Sequence, residues 1–114
     1  MIIQDQNKDL TLEEKIALWR KEYKSIYKTV IDDEIYIWRK IKRSEYVDMH
    51  NAIFNNDEIP DDLKFWIKQE EITKTVLLYP TDADEAIEES AGISTVISQD
   101  CLNRSGFGAL SQQM

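Results

Sequence analysis

Residues 25–41 constrain the fold more tightly than any other part of the chain. Two β-branched and aromatic runs, Ile26-Tyr27-Lys28-Thr29-Val30-Ile31 and Ile35-Tyr36-Ile37-Trp38-Arg39-Lys40-Ile41, flank Asp32-Asp33 and alternate with period two. A helix repeats about every 3.6 residues and cannot collect such a pattern on one face. The alternation predicts a β-hairpin across an acidic turn, with Ile26, Val30, Ile35 and Ile37 in paired antiparallel strands. Two strands alone are marginally stable, so helices must cover at least one face. The hairpin edges stay free in this reading, and Arg39, Lys40, Lys42 and Arg43 supply charge that discourages strand addition.

Helix signals surround the hairpin. Thr11 and Glu14 have the spacing of a capping box, and Leu12, Ile16, Trp19 and Tyr23 follow at intervals of three and four, so a first helix should start at Thr11 and turn that stripe toward the core. Its sharper alternative is a partner-binding helix. Ser44 ahead of Glu45 predicts a second helix to about Phe54, with Tyr46, Met49 and Ile53 on its apolar face. Asp61 or Asp62 caps a third and central helix that Pro80 stops after Tyr79. The acidic stretch 81–90 suits a short helix. Ser94 caps a last one through about Arg104, with Gly106 at the left-handed position that ends it and Phe107 folded back onto the core. The expected core is Trp19, Tyr23, Trp66, Ile67, Ile72, Val76, Ile97 and Leu102. The expected architecture is a single α+β domain over residues 11–107, mostly helical with the hairpin of residues 25–41 packed against helices. Residues 1–10 read as a flexible arm and 108–114 as a C-terminal tail.

Charge and composition then remove several function classes. In 114 residues, 14 basic side chains against 22 acidic ones give a net charge of -8, which argues against nonspecific binding to nucleic acid or anionic lipid. The apolar run Val76-Leu77-Leu78-Tyr79 is far shorter than the ~20 residues of a membrane span. The start of the chain lacks the basic and apolar regions of a signal peptide, and the lone Cys101 excludes an internal disulfide, so the reading is an intracellular origin. His50 is the only histidine, which leaves no histidine-rich metal site. Cys101 lies among Val96, Ile97 and Leu102, where a small buried hydrophobe is expected. The carboxylates from Asp82 to Glu89 fail the calcium-loop pattern at Ile87 and Ile93, and a solvated acidic face is expected there. Gly106-Phe107-Gly108 lacks the lysine of a phosphate-binding loop. No catalytic, cofactor-binding or metal-binding residues are expected.

The order of three blocks carries a resemblance. Asp33-Glu34-Ile35-Tyr36-Ile37-Trp38-Arg39-Lys40-Ile41-Lys42-Arg43-Ser44-Glu45-Tyr46 resembles a hairpin strand leading into an Arg-x-[Leu/Ile]-x-Arg-x-Glu-Tyr segment of small proteins encoded among the tail genes of contractile-tailed bacteriophages. Glu70-Glu71-Ile72 leading to Val76-Leu77-Leu78-Tyr79-Pro80, and Ala91-Gly92-Ile93-Ser94 with Ser105-Gly106-Phe107, fit the same pattern. The resemblance spans about residues 12–107 and is to tail-assembly chaperones and baseplate-hub-associated proteins. It implies a non-enzymatic structural or assembly protein that binds other tail or baseplate proteins, in several copies, in the host cytoplasm during assembly or in the virion tail. Such proteins often continue past the Ser-Gly-Phe block with a charged tail, so the resemblance implies either a short member or a chain that runs beyond Met114. Trp38, Arg39, Arg43 and Tyr46 are the expected partner-binding residues, since these types concentrate binding energy and a strand edge can be augmented. The plainer role for Trp38 is to complete the core. The alternative function is a small acidic phage protein that binds and redirects a host enzyme such as RNA polymerase.

Overall fold

A computed structural model describes residues 10–107; the expected C-terminal tail and all but the last residue of the expected N-terminal arm lie outside them. The fold is α+β. Its elements are α1 (Leu12–Glu22), β1 (Ile26–Ile31), β2 (Glu34–Arg39), α2 (Arg43–Phe54), α3 (Asp61–Val76), β3 (Leu77–Tyr79), α4 (Ala83–Glu89) and α5 (Gly92–Leu102), closed by a wide helical turn over Asn103–Phe107. The sheet is antiparallel with order β1-β2-β3.

The hairpin forms where alternation places it. Ile26 pairs with Arg39 and Ile31 with Glu34, which leaves Asp32 and Asp33 as a two-residue turn. Both aspartates have positive φ, 51° and 67°, the hand that matches the twist of the flanking strands. Asp tolerates this left-handed region better than most residues. One expectation about its edges is corrected. β3 pairs with the outer side of β2 around Ile37 and Trp38, so β2 is central and, of the two hairpin strands, β1 alone keeps a free edge.

β3 exists because α3 ends three residues before the predicted stop. Its last turn is Thr73-Lys74-Thr75-Val76, rich in β-branched residues that suit a strand better than a helix, and the chain becomes extended at Leu77. Other boundaries move as well. Glu45, not Ser44, closes the start of α2 by accepting from the Lys42 amide at 2.9 Å. Asp61 and Asp62 fall in the first turn of α3 and do not cap it. Ser94 lies inside α5, fully buried, and does not cap that helix. Thr11 does cap α1 through the expected box: its Oγ1 accepts from Glu14 N, and Glu14 Oε1 accepts from Thr11 N. Asp82 caps α4 with a single bond, its Oδ1 accepting from Glu85 N at 3.0 Å.

The main core lies on the Tyr36–Trp38 face of the sheet, where Ile72 and Val76 of α3 and Ile93, Ile97 and Cys101 of α5 meet it. Trp38 is 2% exposed, stacks on Tyr27 across the hairpin at 4.7 Å and donates from Nε1 to Thr29 Oγ1 at 2.8 Å. The hydrogen bond satisfies the one polar atom that burying an indole would otherwise strand. α3 and α5 approach closely because Thr73, Ser94 and Ser98 keep their contact small. α1 lies across the opposite face, where Ile16 and Arg20 flank a cleft of about 240 Å³ over Ile26, Lys28 and Ile37.

Two core assignments are therefore corrected. None of the residues of α1 is buried, so its stripe covers the sheet without becoming a core face. Trp66 is 46% exposed, while Ile72, Val76 and Ile97 are buried as expected. Trp38 holds the position given to Trp66. Truncating it in Trp38→Ala should cost about 3 to 5 kcal/mol, whereas Trp66→Ala should stay within about 1 kcal/mol of the parent. Urea denaturation of the two variants checks this, and the reverse order would contradict the assigned core.

Candidate interaction surface

The segment from Trp38 to Tyr46 turns its four predicted contact residues in different directions. Trp38 points into the core and leaves almost nothing for a partner, which corrects its expected role at the surface. Arg39 is committed internally. Its Nη1 and Nη2 donate to Glu45 Oε1 and Oε2 at 2.9 and 2.8 Å, Nη2 also donates to the Thr75 carbonyl at 3.0 Å, and the guanidinium lies 5.5 Å from the Tyr23 ring centroid. Arg43 is exposed on the first turn of α2. Tyr46 is half-buried.

The Arg39–Glu45 pair is well placed energetically, with both side chains mostly shielded and joined by two parallel hydrogen bonds. The bond from Arg39 holds the Glu45 carboxyl below its ordinary range, and that from the Lys42 amide adds to the effect against burial. The same bond raises Arg39 further, so the pair is charged throughout the neutral range. Cys101 sits under the junction, fully buried, with Sγ 3.7 Å from the Arg39 carbonyl; burial pushes its thiol up and away from a nucleophilic state.

Tyr46 begins an aromatic ladder that sequence spacing alone did not isolate. Tyr46, His50 and Phe54 recur every four residues along α2, with the His50 and Phe54 rings stacked at 4.5 Å. Phe107 reaches back onto Tyr46 at 4.7 Å, because Gly106 takes a φ of 107° and reverses the chain. It stays 58% exposed, so it packs on the surface ladder and not in the core. Lys68 of α3 runs along the ladder, donating to the Tyr46 hydroxyl at 2.6 Å and lying 3.4 Å from His50 Nδ1. His50 is thus engaged structurally.

Beside the ladder, α3 carries the largest run of unburied apolar side chains: Leu63 at 46%, Phe65 at 69% and Trp66 at 46% exposure. Leu63, Trp66 and Ile67 share one helix face at spacings of three and four. Ile67 also lines a groove of about 380 Å³ between α2 and α3, with Met49, Ala52 and Ile53 opposite. The signal for this surface was present in the sequence as the excess of apolar residues around α3, which the expectation of a wholly central helix absorbed into the core.

No group of His, Cys, Asp and Glu among the described residues is arranged to hold a metal ion, and no helix there is long and apolar enough to cross a membrane. No protein-family model, curated protein or solved structure matches the chain.

The pH dependence of stability should report the Arg39–Glu45 pair. The folded Glu45 pKa lies below its ordinary value of 4.5, so the pair's contribution is complete above that value and is lost as pH falls through the folded one. Glu45→Gln should cost about 1 to 2 kcal/mol at neutral pH, allowing for partial exposure. Because the amide does not titrate, its stability should also fall less steeply on acidification than that of the parent. Parallel acid limbs in urea titrations of the two proteins would contradict this.

Proposed function

We propose that the chain is a non-enzymatic bacteriophage tail or baseplate protein, structural or assembly, that acts by binding other tail components through the exposed first half of α3 and the adjoining ladder. The contact reading is carried by one observation: Leu63, Phe65 and Trp66 stand exposed within four residues of one another on the first half of α3, ahead of the turns that bury Ile72, Thr73 and Val76 in the core. A chain this small has few aromatic residues to spare, and clustered apolar exposure marks interaction sites more often than scattered exposure does. Arg43, Tyr46 and Phe107 extend the surface toward the start of α2, supplying residue types common at binding hot spots. The assignment to a phage tail is supported by the resemblance of residues 33–46, 70–80 and 91–107.

Pull-down against co-expressed tail-tube, tape-measure and baseplate proteins tests both parts. One of them should bind, and a Leu63→Ser/Trp66→Ser double substitution should weaken that binding at least about tenfold while the circular dichroism of the monomer is unchanged. Mass spectrometry of purified virions then separates a resident component from an assembly chaperone that departs. Absence from virions together with failure to bind any tail protein would overturn the assignment, and capture of host RNA polymerase instead would establish the host-directed role.

A further inference from the structure

α1 is the least closely packed helix of the domain. The sheet takes only part of its apolar stripe: Leu12, Ile16, Trp19 and Tyr23 each remain half-buried, none is buried, and the cleft beside Ile16 and Arg20 stays open. The stripe repeats at intervals of four, three and four, the spacing that lets two helices pack along a seam.

Charges border the stripe on both sides. Glu13 and Arg20, seven residues apart, run along one edge, and Lys15 and Glu22, also seven apart, run along the other. None of the four has an oppositely charged residue three or four positions away, and none joins an ion pair among the described residues. The helix dipole accounts for an acidic start and a basic end, as at Glu13, Glu14, Arg20 and Lys21. It does not account for Lys15 ahead of the middle or for Glu22 as the last residue, where each sign is reversed.

The pattern is complete only beside its own image. In an antiparallel pair of α1 helices, Ile16 meets Trp19 of the copy and Leu12 meets Tyr23 of the copy. Each edge then lies against the same edge reversed, so Glu13 faces Arg20 of the copy and Lys15 faces Glu22 of the copy, every contact occurring twice by symmetry. A parallel pair would bring opposite edges together and set Lys15 against Arg20 of the copy. The charges therefore select one orientation as well as one partner.

We propose that α1 is a self-recognition helix, which docks antiparallel against α1 of a second copy of this chain along the side of its stripe that the sheet leaves open. A helix of 11 residues is about 16 Å long, so the contact is small and the dimer weak. The free edge of β1 is a poorer seam, because Lys28 stands exposed near its middle. The α1 site rests neither on the α3 surface nor on the phage assignment.

Sedimentation equilibrium of the full chain and amide shifts in NMR, both followed from about 10 µM to about 1 mM, test the proposal. Association should stop at a dimer, and the shifts that grow with concentration should fall on residues 12–23. Two variants then read the charges: Lys15→Glu/Arg20→Glu makes both edges wholly acidic, and Glu13→Lys/Glu22→Lys makes both wholly basic. Each alone should dimerise at least about tenfold more weakly than the parent, and their equimolar mixture should regain the parent affinity to within about threefold, as a heterodimer. Both variants keep a net negative charge, so their attraction cannot come from the charge of the whole molecule. A nitroxide on Ala17→Cys leaves all four charges in place and decides the matter where a charge variant loses the helix: mixed with unlabelled chain, it should broaden the amides of residues 12–23 of the other copy most strongly. A monomer at about 1 mM, shifts or broadening centred on residues 26–31 or 63–67, or a mixture of folded variants no tighter than its components would overturn the proposal.

Discussion

The guanidinium of Arg39 is the point on which the assembly of this domain depends. It lies where β2 ends, and its donors reach the first turn of α2 through Glu45 and the end of α3 through the Thr75 carbonyl, while its flat face meets Tyr23 just after α1. Three helices are thus set relative to one strand by a single side chain. Lysine could not substitute, because an ammonium has no planar fork with which to hold both carboxylate oxygens and a carbonyl in fixed directions. The cost of shielding the charge is offset by these partners, and removing any one leaves a partly buried ion short of them.

That junction also explains how so short a strand as β3 persists. A three-residue strand contributes few backbone hydrogen bonds, and it pairs with β2 only if α3 stops in register with it. Arg39 donates to the Thr75 carbonyl, which the helix leaves free as it terminates, and the following residues run directly along β2. The residue before Arg39, Trp38, points to the opposite side by strand alternation and anchors the core there. Adjacent residues therefore fix the strand from both directions: one through charge and geometry, the other through burial and its bond to Thr29.

What could be read from the sequence divides along the same line. Local signals were sufficient for the hairpin and its aspartate turn, for the Thr11 capping box and for the Gly106 stop, because each is decided by the dihedrals and hydrogen bonds of a few neighbouring residues. The strand after Val76 was not legible, since an apolar run of that length is ambiguous until it is known what lies beside it. The choice between Trp38 and Trp66 was decided by tertiary structure: both sit in apolar surroundings, but only Trp38 is on a strand enclosed by α3 and α5. Arg39 and Tyr46 look alike as hot-spot types, yet the partner of the first is six residues away at Glu45 and the second stays half open.

The distribution of apolar side chains carries the last step. Burying one large side chain is worth roughly 1.5 to 3 kcal/mol, a sizeable part of the stability of a domain this small. The chain nonetheless places Leu63, Phe65 and Trp66 outside its core while filling the contact between α3 and α5 with Thr73, Ser94 and Ser98, one of which, Ser94, keeps a buried hydroxyl without a partner among the described residues. A sequence shaped only for monomer stability would favour the reverse, with larger side chains inside and polar ones on the exposed first half of α3. Small residues within bring the two helices close, and a helix already folded and held by its second half presents its first half with little left to order on contact. The stabilisation forgone by leaving those side chains in water is then recoverable through contact with another molecule.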